Sequence, residues 1–138
     1  MTEIRWVGQE EPYGCGAAAI AMLTGRTYQE VVSELGDSWT EHGLHDPESL
    51  LADMGYALAR RYRVMQYHGI VNEERTPWPP EPFGDVHICQ VYVSKPMAHM
   101  VVMLRDGTVL DPVTPEPKRL ADYLDVNWVA AVVRYTTP

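Results

Sequence analysis

Directly after Cys15-Gly16, from Ala17 to Leu23, the chain reads AAAIAML, small or apolar throughout and without a helix breaker. Such a run predicts a buried helix of roughly two to three turns, with Cys15 at or near its first turn and Thr24-Gly25 as its stop. A second helix starts at Thr27, because Thr27-Tyr28-Gln29-Glu30 is a capping box and Tyr28, Val31, Val32 and Leu35 then recur at helical spacing up to Gly36. A third has Asp46 as N-cap, Pro47 as first helical residue, Leu50, Leu51 and Met54 on its apolar face, and Gly55 as its end.

The pattern then changes. Ala57–Met65 reads as a strand, and residues 66–85 as a connector too rich in proline for any regular element. Val86–Val93, Ala98–Leu104, Thr108–Asp111 and Trp128–Tyr135 read as strands, with Asp106-Gly107 as a turn between the second and third of these. Pro115–Leu124 is expected to be a short helix or helical turn with Leu120, Tyr123 and Leu124 on one side, and residues 3–8 a short strand or extended lead-in. Helices first and an antiparallel sheet second make an α+β fold. With 138 residues, 46% of them hydrophobic, a single domain over residues 1–138 is expected.

A net charge of −8 argues against nucleic acid and anionic membranes as partners. No apolar run approaches the length of a transmembrane helix, and the N-terminus has no signal-peptide pattern, so a cytoplasmic, reducing location is the default expectation. In such a location Cys15 and Cys89 are expected as free thiols, with Cys89 buried in VHICQVYV. His42, His45 and Asp46 are a weak metal-ligand set without a compelling distant partner, so neither metal nor cofactor is expected.

Cys15 is where the chemistry concentrates. A thiol at a helix start faces unpaired backbone N–H groups and the positive end of the helix dipole, both of which favour thiolate, the nucleophilic form. Gln9, six residues upstream, is placed to offer an amide donor to an oxyanion. His99 opens the otherwise apolar strand HMVVML, and Asp111 follows across the hairpin. A Cys–His pair oriented by a third polar group is the usual way to activate a thiol. This demands a particular register. A two-residue Asp106-Gly107 loop pairs Val102 with Asp111 and sends His99 and Asp111 to opposite faces. A three-residue loop, Arg105-Asp106-Gly107 with Gly107 left-handed, pairs Val101 with Asp111 and puts both on one face, at roughly 7–8 Å between backbone positions.

Gln9, Cys15-Gly16 with its two following alanines, His99 before Met-Val-Val, and Asp111-Pro112 occur in that order. The ordered set resembles the papain-like cysteine peptidases, and among them the small branch that removes double-glycine leader peptides from bacteriocins, with its stand-alone relatives. The resemblance spans about residues 9–112. It implies a papain-like fold, with an N-terminal helical half carrying the cysteine helix packed on a C-terminal antiparallel sheet. It also implies a thioester acyl-enzyme on a peptide or protein substrate, with Cys15 as nucleophile, His99 as general base, Asp111 as its orienter and Gln9 as oxyanion donor. Gly14 stands where members often carry an acidic residue, and Met100 where they carry an aromatic.

Three other readings stay open at this level. An acyltransferase on the same fold would pass the acyl group to an amine or thiol. A binding module would keep the fold without the chemistry. A thiol-redox protein would use Cys15 with Cys89, although no Cys-x-x-Cys is present. Neither oligomeric state nor substrate identity is written in these patterns.

Overall fold

The computed structural model describes residues 3–36, 46–63, 79–94 and 97–135, with residues 60–63 by backbone alone. Its elements run α1 (Cys15–Thr24), α2 (Tyr28–Leu35), α3 (Pro47–Asp53), β1 (Tyr56–Arg63), β2 (Val86–Ser94), β3 (Met97–Leu104), β4 (Val109–Asp111), β5 (Thr114–Lys118), a 3₁₀ turn (Leu120–Asp122) and β6 (Asp125–Arg134). The strands form one sheet in the order β1-β6-β2-β3-β4-β5, and every neighbouring pair is antiparallel. The fold is α+β, helices before sheet.

α1 is buried along its whole length from Gly16 to Leu23. Three successive alanines let its backbone lie close against β3 and α2. Gly25 closes it at φ 71°, a left-handed conformation that costs glycine little. α2 begins with the full capping box between Thr27 and Glu30, and buries Tyr28, Val31 and Leu35. Asp46 caps α3 by accepting from the Ser49 N–H at 3.2 Å. The loop carrying His42 and His45 lies outside the described residues.

The sheet has two covered faces. Ile88, Met100, Val102, Ala130 and Val132 pack under the helices. Cys89, Val91, Val101, Met103, Val109, Val126 and Val129 form a second core on the other side, closed by Leu120 and Tyr123. Alternation along each strand deals its residues between these cores.

One expectation needs correction. Residues 114–118 are an edge strand rather than the start of a helix. Pro115 and Pro117 have no N–H to give a helical ladder, and an edge strand tolerates them because one side of it pairs with no strand among the described residues. Helical character survives only in the single 3₁₀ turn that follows, and Leu124 is exposed. Residues 3–8 form no strand. They are an extended lead-in held by two long-range bonds: Trp6 Nε1–H donates to the Asp111 carbonyl at 2.7 Å, and the Gln9 N–H to the Pro112 carbonyl at 3.0 Å.

Candidate active site

Cys15 is the first residue of α1. Gly14 at the N-cap supplies no capping side chain, and no acidic residue occupies the first turn. The positive end of the helix is therefore left to the sulfur, which the Gly16 N–H faces. The loop that delivers Cys15 is held by the first turn of α2. The Tyr28 hydroxyl donates to Glu11 Oε2, and Gln29 Nε2 donates to Glu10 Oε1 at 2.8 Å. A Cβ on Gly14 would run into the Tyr28 hydroxyl, which explains a glycine before the cysteine.

The hairpin between β3 and β4 has the register that brings His99 and Asp111 to one face. Val102 pairs with Leu110 and Met103 with Val109, and the Leu104 N–H bonds to the Thr108 carbonyl. The loop is therefore Arg105-Asp106-Gly107, with Gly107 at φ 90°. His99 Nε2 lies 2.6 Å from Asp111 Oδ1. The other ring nitrogen, Nδ1, is left for Cys15, which lies close enough for each group to favour the charged form of the other.

The edge of β3 adds a donor. β4 ends at Asp111, so beyond Val102 its side of β3 has no strand. The Leu104 N–H points to that side, and so, by alternation, does the Met100 N–H. It bonds to Cys15.

The electrostatics follow from these contacts. Burial pushes the Cys15 thiol up, but the bonds from His99 and from the Met100 and Gly16 N–H groups, with the charge on His99, outweigh it and hold the thiol below its ordinary value. Burial disfavours a charged His99, yet its bonds to Asp111 and Cys15 win and raise it to about 9. Asp111, also opposed by burial, is kept below the usual carboxylate range by bonds from His99, Tyr123 and the Val113 N–H. The arrangement stabilises a thiolate–imidazolium pair beside a carboxylate.

Gln9 lines the same cleft, an open space of about 460 Å³. Its Nε2 donates to the carbonyls of Glu11 at 3.0 Å and Pro12 at 3.1 Å, while its Oε1 is buried with no partner among the described residues. Tyr13, Val93, Met97, Val113 and Lys118 complete the walls. Cys15 and Cys89 are both free thiols. Cys89 is in the second core, across the sheet from α1, where burial pushes its pKa far up.

Tyr123 and the Met100 N–H were not found by reading the sequence as a site. Tyr123 fell into an apolar pattern, and a backbone donor has no residue signature.

No protein-family model and no curated protein matches the sequence. Among solved structures, the chain is similar to the crystal structure of a double-glycine motif protease from an AMS/PCAT transporter in complex with the leader peptide. The TM-score is 0.56 over 93% of this chain and 91% of that one, at 13% identity. The fold is papain-like. At that identity the likeness is one of architecture alone. No helix among the described residues is long and apolar enough to cross a membrane.

Proposed function

We propose that the protein, as a single papain-like domain, is a cysteine peptidase or amide hydrolase acting on a peptide-like substrate through a thioester on Cys15. The observation that carries this is the 2.6 Å His99–Asp111 bond in an open cleft that Cys15 also lines, at the start of α1. In this reading the Cys15 thiolate attacks the scissile carbonyl, and the Sγ–C bond forms as the carbonyl π electrons move to oxygen. Imidazolium His99 then gives its proton to the leaving amine as the C–N bond breaks. His99, now neutral, takes a proton from water, which attacks the thioester and releases the acid with the thiol. Asp111 fixes the imidazole with Nδ1 toward sulfur and supports its charge.

The oxyanion forms near the start of α1. Gln9 is the side-chain donor in this scheme, and its Nε2 must exchange its bond to the exposed Pro12 carbonyl for one to the oxyanion. A peptide substrate accords with the likeness to a protease solved with a leader peptide.

The test needs no known substrate. Intact-mass analysis after iodoacetamide or an epoxide probe at neutral pH should show one label, on Cys15, with Cys89 unlabelled and His99→Ala labelled far more slowly. First labelling of Cys89 in the folded protein, or a His99→Ala rate equal to wild type, would overturn the reading.

A further inference from the structure

The two oxygens of the Asp111 carboxylate have different partners. Oδ1 takes His99 Nε2 at 2.6 Å and the Val113 N–H at 2.9 Å. Oδ2 takes the Tyr123 hydroxyl at 2.6 Å, its one bond among the described residues. Asp111 is 4% exposed and Tyr123 8%, so the bond between them is largely shielded from solvent. A buried carboxylate oxygen without a donor is costly, and a phenol on an ionised carboxylate is a charge-assisted bond of the stronger kind.

The position of Tyr123 is set independently of Asp111. Its ring belongs to the second core. The 3₁₀ turn before it is closed by the Tyr123 N–H on the Leu120 carbonyl at 3.1 Å and by the Arg119 N–H on Asp122 Oδ2 at 2.8 Å. The next residue, Leu124, donates its N–H to the Tyr92 carbonyl at 2.9 Å, tying the segment to β2. The hydroxyl is thus presented from a fixed backbone. Burial first, and then the bond to Asp111, push it well above its usual range, so it remains a donor throughout the working pH range.

We infer that Tyr123 is a positioning residue of this site, whose hydroxyl holds Asp111 ionised with Oδ1 turned to His99 and so sustains the Cys15–His99 ion pair. The inference rests on the proposed Cys15–His99–Asp111 reading and adds a fourth member to it. Without the hydroxyl, Oδ2 turns toward water in the cleft. His99 then keeps a poorer acceptor, and its imidazolium supports the Cys15 thiolate less.

Tyr123→Phe keeps the ring, the core packing and the backbone bonds. The readout is the pH dependence of Cys15 alkylation by iodoacetamide, followed by intact mass. In Tyr123→Phe the midpoint for thiolate formation should move up toward that of an ordinary thiol, and alkylation at pH 6 should slow on the order of tenfold, the scale of one hydrogen bond to a charged group. In an Asp111→Ala background, adding Tyr123→Phe should change nothing further, because its effect runs through Asp111. A tyrosine that only fills the core would lower the melting temperature and leave the profile on that of wild type; that result overturns the inference. So does an equal shift in the Asp111→Ala background. His99→Ala run alongside separates the two levels. An unshifted His99→Ala profile overturns the reading of the site and this inference with it. A shifted His99→Ala profile beside an unshifted Tyr123→Phe profile overturns the inference alone.

Discussion

His99 Nε2 meets Asp111 Oδ1 at 2.6 Å because the loop joining their strands has three residues rather than two. Gly107 at φ 90° is the third, and a one-residue slip would send Asp111 to the helix-covered face, away from the imidazole. The proposed orienting role of Asp111 makes its two simplest variants unequal. Asp111→Asn should lose on the order of tenfold in turnover and Asp111→Ala a hundredfold or more, within the range for acid–base groups. In the asparagine variant Oδ1 still accepts from Nε2–H, and the amide N–H₂ can donate to the Tyr123 hydroxyl oxygen. In the alanine variant nothing accepts the imidazole proton. Steady-state rates on a peptide substrate, with melting curves to show that both fold, check the order; equal losses would remove the orienting role.

Gln9 allows attack by the thiolate to be separated from stabilisation of the oxyanion. Alkylation by iodoacetamide builds no oxyanion, whereas amide cleavage does. Gln9→Ala should therefore leave the alkylation rate of Cys15 near that of wild type, while turnover falls by on the order of a hundredfold. A parallel fall in both would mean that Gln9 acts through the loop it braces at Glu11 and Pro12 rather than on the oxyanion.

Acid should destabilise the fold through His87, outside the proposed site. Its Nε2 accepts from the N–H groups of Phe83 at 3.1 Å and Gly84 at 3.0 Å, and its Nδ1–H donates to the Met103 carbonyl at 3.1 Å. This is the neutral tautomer, fully used. Burial lowers its pKa below 6.5, against smaller raising effects from the Met103 carbonyl and Asp85. The unfolded chain therefore binds this proton first, and the contribution of His87 is complete above 6.5 and is lost as the pH falls below it. On the alkaline side the proposed pair offsets itself. The contribution of His99 is full below 6.5 and lost as the pH rises through about 9, while that of Cys15 grows toward 9.0 as the unfolded thiol lags behind the folded one. Melting temperatures of wild type should thus drop between pH 6.5 and 5 more steeply than those of His87→Ala. Parallel slopes would exclude His87 as the acid-sensitive group.

Much of the architecture was legible because its causes are local. The alanine-rich run after Cys15, the Thr27–Glu30 box, Asp46 before Pro47 and the glycines at 25, 36 and 55 act on their own neighbours within a turn of chain, and each helix begins and ends where they place it. For the face shared by His99 and Asp111, strand alternation and loop length left two registers open, and the structure takes the three-residue loop. What tertiary structure alone decided is non-local. Residues 114–118 carried a weak local preference, and the free edge of β4 overrode it by offering pairing that two prolines do not obstruct. The Met100 N–H is left to favour the Cys15 thiolate because the β3–β4 pairing does not extend to it. Tyr123 meets Asp111 because the second core fixes its ring twelve residues further along the chain, a distance at which no periodicity links a phenol to a carboxylate.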